Sequence, residues 1–518
     1  MTVRGYRLGF DWSRHGTYAN VAEDATSSVT QSDLTIEYGR DTSQTAPDLS
    51  AGTLNFDLDD RNEVYSDTNL ASPIAGKIMP GVPGVLGYTY LGLEYRFFDG
   101  ILDAYESDDE GQRFTGSLID AWGAPGAELL STPVYQGQRT GDLVHVVLDA
   151  IGWTGPRDID PGSTVIAYWW EEDGDASSAI QRLIDAEGPP AIAYVKGGTF
   201  VFRDRHHRIT RTASMTSQGL YTQIEPQSTG PAGDVKVLRG EIKRSDGMRR
   251  IVNSVVFNVD QREPRAEEAV WSTDTPIVVS SGETIVINAK ASDPFVNAQT
   301  PILGTDYVMT TGSVNISISR TSGQSVLLSI TGLAGSSTVA SVQVRATPIP
   351  VVRTVKVTAE DASSIGSRGR QTWPRELPWA NQYDAFAIAQ RIVATYANPR
   401  PVFTITIDGD LGPLYLQQFV QRDISDRITL RADRWGVNTD FIVEKVIRTI
   451  KALGARGHHL TIVVEPPEPV QPANIFTFDT PGKGFNDGKF GVDGIDSAAN
   501  VFRFDVPGQG FNDGRFAT

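Results

Sequence analysis

The chain has 518 residues, a formal net charge of −17 at pH 7 and no cysteine. The missing cysteine excludes disulfides, thiol catalysis and Cys-ligated metal centres, and the acidic balance argues against a surface that grips nucleic-acid phosphates. Its 50 Gly and 29 Pro favour many turns and little helix. We therefore expect a mainly β, β-rich α+β protein with several barrel- or sandwich-like β modules and a few short helices.

The first 130 residues predict short strands separated by turns. Apolar side chains alternate within Ser32–Arg40 and again within 52–60, which places each set on one face of a sheet. Residues 95–123 predict two strands joined by a turn at Asp108–Gly111, where acidic residues and glycine favour a reversal. Residues 1–130 are thus expected to form an N-terminal barrel-like β module.

Residues 131–265 predict an α+β module. One helix is expected over 141–152, ending at a glycine, and a second over 175–188, with Asp175 as its N-cap and Gly188-Pro189 as its end. The two glycines Gly197-Gly198 stand between apolar runs and predict a hairpin.

The composition changes again after this module. Residues 266–364 are rich in Ser, Thr and Val, with glycine turns at regular spacing, and predict a β-sandwich-like insertion. Residues 365–466 predict a last β module with one helix over Gln382–Tyr396 and four strands after it.

Residues 467–518 predict a proline-rich linker followed by an attachment repeat. Residues 473–490 and 499–516 align without gaps and are identical at 13 of 18 positions. A segment this short cannot bury its own aromatic rings, and an isolated hairpin is marginal. We therefore expect the repeat to dock on a partner; the alternative is a small domain in which the two copies pack on each other. The expected docking residues are Phe476, Phe478, Phe485, Phe490, Phe502, Phe504, Phe511 and Phe516.

Motifs for catalysis or cofactor binding are not found in the sequence. The six histidines show no HExxH spacing, and no nucleophile elbow, phosphate-binding loop or dinucleotide motif occurs. The histidines of Arg203–Arg208 are interpreted as a solvated strand end. The acids of Trp169–Glu172 are interpreted as decorating the first turn of the next helix. The Asn-Asp-Gly turns do not fit a calcium-loop spacing, so we expect no catalytic, cofactor-binding or metal-binding residue.

The first residues contain no apolar core of a signal peptide, and no stretch is long and apolar enough to span a membrane. We therefore expect synthesis in the cytoplasm.

The order of these elements resembles that of tail-tip hub proteins of long-tailed siphophages, of the actinobacteriophage type. The resemblance covers roughly residues 30–260 and 365–465. The pieces that carry it are Gly39-Arg40, Leu58-Asp59-Asp60, Tyr65 with Ser72-Pro73, Pro80-Gly81 and Phe98-Asp99-Gly100, followed by the helix and hairpin of 175–205 and the helix and strands of 383–464.

This resemblance implies a minor tail or baseplate hub protein, a structural protein rather than an enzyme. The family forms a homotrimeric, pseudo-sixfold ring at the virion tail tip, joining the tail tube to the distal tip around the exit path of tape measure protein and DNA. Its partners would be distal tail and tail-tip proteins, with a tail-fibre or receptor-binding protein held by the C-terminal repeat. DNA would pass the lumen without specific binding, past acids such as those of Glu106–Glu110. The alternative is a carbohydrate-binding adhesin or tail-associated glycan hydrolase that uses Trp169–Glu172.

Overall fold

The computed structural model describes residues 5–18, 23–29, 33–40, 52–66, 69–107, 112–123, 125–223, 234–238, 240–451 and 457–468. Strands predominate over helices in these residues, and several sheets curl into half-barrels, which confirms the expected β-rich fold. The C-terminal repeat, with all eight phenylalanines named above, and residues 108–111 lie outside the described residues.

The strands in chain order are β1 (Tyr6–Phe10), β2 (Leu34–Gly39), β3 (Thr53–Asp59), β4 (Pro83–Tyr90), β5 (Leu93–Ser107), β6 (Arg113–Asp120), β7 (Leu129–Leu130), β8 (Tyr135–Arg139), β9 (Arg157–Ile159), β10 (Val165–Trp169), β11 (Gly174–Asp175), β12 (Ile192–Lys196), β13 (Thr199–Arg203), β14 (Ser217–Thr222), β15 (Asp234–Lys236), β16 (Ile242–Ser245), β17 (Ser254–Arg262), β18 (Glu268–Thr273), β19 (Ile277–Ser280), β20 (Thr284–Lys290), β21 (Phe295–Val296), β22 (Tyr307–Arg320), β23 (Ser325–Pro348), β24 (Val351–Glu360), β25 (Thr372–Glu376), β26 (Val402–Asp408), β27 (Arg427–Ala432), β28 (Val437–Ile450) and β29 (His458–Glu465). The helices are α1 (Thr140–Ala150), α2 (Ala176–Glu187), α3 (His207–Thr210), α4 (Thr212–Met215), α5 (Ala362–Arg368), α6 (Gln382–Tyr396) and α7 (Pro413–Gln421).

An antiparallel five-stranded sheet with the order β1-β4-β5-β6-β3 forms from the N-terminal residues. Strands β5 and β6 pair antiparallel, as the sequence predicts for the two runs on either side of residues 108–111. The buried face carries aromatic rings: Phe10 stacks on Trp12 with ring centroids 4.9 Å apart, and Phe56 stacks on Phe114. Aromatic contacts of this kind give the sheet a dense core.

A second, eight-stranded sheet has the order β15-β14-β27-β28-β29-β26-β16, and β2 pairs with β28. Strand β2 therefore comes from the N-terminal part of the chain but lies against the C-terminal strands, with Leu34 opposite Ile450. Its apolar face alternates as the sequence predicts, and the buried residues of both sheets form one hydrophobic cluster. The two β modules consequently share a core.

The helices and strands between β6 and β14 in the sequence agree with several local predictions. Helix α2 begins after Asp175, whose side chain accepts a hydrogen bond from the Ser178 backbone N–H at 2.7 Å. Strands β12 and β13 form the predicted hairpin. Gly197 and Gly198 both have positive φ, at 52° and 79°, as the favoured two-residue hairpin turn requires.

Residues 268–348 form a six-stranded sheet built around the long strand β23, which pairs with β18, β19, β20 and β22. Its buried residues form a hydrophobic cluster separate from those of the other modules. Strands β24, β17 and β25 make a three-stranded sheet whose apolar face packs on helix α6. This helix has the predicted bounds and is capped by Asn381, which accepts from the N–H groups of Tyr383 and Asp384. Helices α5 and α7 were not predicted.

Gly39 ends β2 where that strand meets β28. Its φ is +116°, and a Cβ added there would lie 2.5 Å from the Glu444 carbonyl oxygen and 2.9 Å from the Lys445 Cα. Both contacts are with backbone atoms, which cannot swing aside as a side chain can.

We expect Gly39→Ala to lower the free energy of unfolding by about 3 kcal/mol. A backbone with positive φ costs an L-residue about 1–2 kcal/mol, and overpacking adds about 1–3 kcal/mol. Urea unfolding of the purified chain measures the change. The control is Gly76→Ala, where φ is +69° and nothing lies within 4 Å; it should lose only about 1 kcal/mol. Equal losses in the two variants would contradict the close β2–β28 contact.

Candidate functional site

Glu444 lies at the centre of a buried ion-pair network. Its carboxylate accepts a hydrogen bond from the Arg208 guanidinium at 2.8 Å and lies 3.9 Å from that of Arg40. The side chains of Glu444 and Arg40 are only 1% and 3% exposed. Burial alone would raise the pKa of Glu444, but the two guanidiniums hold it below its ordinary value. The carboxylate is therefore charged and depends on both arginines.

The network extends from Glu444 to helix α6 and to the last described residues. The two terminal nitrogens of Arg40 both donate to the Tyr396 hydroxyl at 3.2 Å. Arg208 lies 4.0 Å from Glu468, which accepts a hydrogen bond from Arg391 at 2.6 Å. One connected set of charges thus ties β2, α3, β28, α6 and the segment after β29 to one another.

The histidines of Arg203–Arg208 are not a solvated strand end, and that interpretation is wrong. Arg205 and His207 are each 7% exposed. His207 contacts Asp160 with Nδ1–Oδ2 at 2.8 Å, and His206 lies 2.8 Å from the Ser163 hydroxyl. Burial and the nearby Arg205 lower the pKa of His206 to about 4. The alternation argument fails here because the chain leaves β13 and turns into α3, so adjacent side chains no longer point in opposite directions.

Trp169–Glu172 also differs from the expectation. The acids do not stand in the first turn of the next helix, since α2 begins only at Ala176. Glu171 is buried and accepts from Arg182, whereas Glu172 contacts Lys290 at 3.2 Å. Burial raises the pKa of Glu171, and the contact with Arg182 opposes that rise. Each carboxylate is therefore held by a cation within the protein.

An aromatic cavity of about 250 Å³ opens between β10, β17 and the N-terminal end of α6. Tyr168, Arg262, Trp379 and Tyr383 are among its lining residues. Trp379 packs edge-on against Trp170 with ring centroids 4.6 Å apart, and the Arg262 guanidinium lies over the Trp170 ring at 4.8 Å. The sequence did not indicate this cavity because its walls come from three segments far apart along the chain.

Two donors at this cavity are unsatisfied. Within the part of the chain that the structure describes, Arg262 Nε and Trp379 Nε1 are buried without a hydrogen-bond partner. A buried donor without an acceptor costs free energy, so these two groups are unfavourable for the folded chain.

Asp11, His15 and Glu23 form a cluster that was not predicted, with ligand atoms within 4.8 Å of one another. His15 contacts Asp11 through Nδ1 at 3.3 Å and Glu23 through Nε2 at 2.9 Å. Both ring nitrogens of His15 therefore already have a carboxylate oxygen as neighbour. A metal ion would have to displace one of these contacts.

No protein-family model and no curated protein matches the chain. Among solved structures, it resembles the 43 kDa tail protein of prophage MuSo2 from Shewanella oneidensis, with 11% identity and a TM-score of 0.46 over 89% of this chain and 98% of that one. The tail protein from Neisseria meningitidis MC58 is 8% identical, with a TM-score of 0.45 over 89% of this chain and 96% of that one. Prophage tail protein gp18 from Listeria monocytogenes EGD-e is 8% identical, with a TM-score of 0.42 over 90% of this chain and 95% of that one. None of the helices in the described residues is long and apolar enough to cross a membrane.

We expect Glu444→Gln to lower the free energy of unfolding by about 3 kcal/mol at pH 7, since it removes the carboxylate that both buried guanidiniums share and leaves Arg208 only the more distant Glu468. The folded-state pKa of Glu444 is depressed. Its contribution to stability is therefore complete above the pKa of the unfolded chain and is lost as the pH falls through the folded value.

Urea unfolding at pH 7 and at about pH 3 measures both effects, and the difference between variant and parent should shrink at the lower pH. Glu360→Gln is the control, because that glutamate pairs with Arg370 on the surface and its removal should change little. A Glu444→Gln variant as stable as the Glu360→Gln variant would contradict the role assigned to the network.

Proposed function

We propose that the chain is a tail-tip hub protein of a long-tailed siphophage, which joins the tail tube to the distal tip and surrounds the exit path of tape measure protein and DNA. The observation that carries the proposal is the presence, in one chain, of two large β sheets that share a hydrophobic core. A subunit with two such modules can fill two positions of a ring, so a trimer imitates sixfold symmetry.

Several residues that carry the resemblance have structural roles in this fold, and these roles support the proposal. Gly39-Arg40 leads from β2 into the Glu444 network. The Asp60 carboxylate accepts the backbone N–H of Tyr65 at 2.8 Å and so shapes the turn after β3. At Gly100, a Cβ would clash with the neighbouring strand β6. These residues are ones that a module of this shape requires, rather than residues of a catalytic centre.

The ion pairs at Trp169–Glu172 favour a structural role over hydrolysis. A retaining or inverting glycosidase needs one carboxyl group free to give a proton and a second free to act as nucleophile or base. Here each carboxylate is paired through one oxygen with a neighbouring cation, Glu171 with Arg182 and Glu172 with Lys290. The net charge of −17 suits a ring through which DNA passes without binding.

The assembled protein should be a trimer located at the distal end of the phage tail. Light scattering or native mass spectrometry of the purified ring should give three times the 56.3 kDa mass of the chain. Antibody labelling of virions should mark the tip. A monomeric or hexameric mass, or label along the tail tube, would contradict the proposal.

The C-terminal repeat should act in attachment. Deleting residues 471–518 is expected to leave a folded trimer that no longer recruits the next tip component, a tail-fibre or receptor-binding protein. Particle mass and composition of tips assembled with the truncated chain measure this. Complete, infectious tips built from the truncated chain would show that the repeat is not an attachment device.

A further inference from the structure

The described chain ends against helix α6. Glu468 accepts hydrogen bonds from Arg391 on that helix, at 3.2 Å from Nε and 2.6 Å from a terminal nitrogen. Residues 469–518 start from this point, and eight positions further on stands Phe476, the first aromatic residue of the repeat. Residues 469–475, which include two prolines, thus separate Glu468 from the first aromatic residue of the repeat.

The aromatic cavity lies at the other end of the same helix and within reach of that segment. Tyr383 and Arg391 are eight residues apart on α6, which is about 12 Å along its axis. A proline-rich linker of eight residues spans about 25 Å when extended. The first copy of the repeat can thus reach the cavity of its own chain.

The cavity has the size and the surface to take a phenylalanine side chain. A dry cavity of about 150 Å³ accepts benzene, so a volume of about 250 Å³ has room for a phenyl ring and part of its backbone. The Tyr383 ring at its rim is 64% exposed, and Phe386, one helical turn further, is also exposed. Large apolar groups side by side on a surface are typical of a docking site.

The polar groups of the cavity complement the residue that follows this phenylalanine. In each copy, an aspartate stands directly after the second phenylalanine, as in Phe478-Asp479. The Arg262 guanidinium lines the cavity and donates to the Ile349 carbonyl at 3.2 Å, but it forms no ion pair within the described residues. Of the two carboxylates that also line the cavity, Asp260 accepts from the Thr354 hydroxyl at 2.7 Å and Glu263 is exposed to solvent. A phenyl ring followed by a carboxylate therefore matches an aromatic cavity with an arginine that has no ion-pair partner.

We propose that the first copy of the repeat, residues 473–490, docks in this cavity of its own chain, with Phe478 among Tyr168, Trp379 and Tyr383 and with Asp479 on Arg262. This inference rests on the docking role proposed above for the repeat. The shorter tether gives the first copy a higher effective concentration at the cavity than the second. The second copy, residues 499–516, then remains available to bind a partner. This division of roles explains why the sequence occurs twice.

The absence of cysteine makes a disulfide test direct in the full-length chain. We choose Glu263→Cys at the rim of the cavity and Thr480→Cys beside Phe478-Asp479, because neither substitution removes a docking group. The matched control is Asp274→Cys with Thr480→Cys, since Asp274 is another exposed acid but does not line the cavity. Mild oxidation should cross-link the first pair within one chain at least about tenfold faster than the control pair. Phe478→Ala in the Glu263→Cys/Thr480→Cys chain should remove this advantage.

Cross-linking rates equal to those of the control, or cross-links that join two chains, would overturn the inference. The inference would also be overturned if the cavity bound N-acetylglucosamine oligosaccharides, as measured by tryptophan fluorescence, and the Glu263→Cys/Thr480→Cys pair failed to cross-link. If the cross-link fails but the chain without residues 471–518 still cannot recruit its partner, the inference falls and the proposed function stands. If the cross-link forms and that truncated chain builds complete tips, the docking stands and the attachment role falls.

Discussion

The Glu444 carboxylate cannot remain buried unless Arg40 and Arg208 are both in place. A carboxylate that is almost fully removed from water loses a large solvation free energy, and only nearby positive charges and hydrogen bonds compensate for it. Arg40 follows β2, Arg208 lies in α3, and Glu444 belongs to β28, so three distant parts of the chain must meet at one point. Tyr396 and the Glu468–Arg391 pair then join α6 to the same point. This requirement acts together with the shared hydrophobic core and the β2–β28 pairing to place the modules.

Buried polar contacts reinforce the core that the two β modules share. Arg448, also on β28, is buried and donates to the Tyr38 hydroxyl at 2.6 Å and to the Phe419 carbonyl at 2.7 Å, so β2, β28 and α7 are joined a second time. The two β modules are therefore joined both by a shared hydrophobic core and by buried polar contacts. Residues 268–348 have a hydrophobic cluster of their own.

The cavity at Trp379 lies outside this network. Two donors beside it, Arg262 Nε and Trp379 Nε1, are buried without an acceptor within the described residues. A protein does not usually bury donors without acceptors. The exposed rings of Tyr383 and Phe386 lie at the same N-terminal end of α6.

The sequence by itself determined the local elements: the alternation that forms β2, the Asp175 cap of α2, the double glycine of the β12–β13 hairpin and the bounds of α6. Each of these depends on residues within one or two turns or strands, so a local pattern is enough to specify it. Only the tertiary structure decided that β2 pairs with β28, that His207 is buried and His206 half-buried, and that Trp379 meets Trp170. A hydrophobic pattern states which face of an element is buried, but the segment that covers that face depends on charge pairing and packing between residues far apart in the chain.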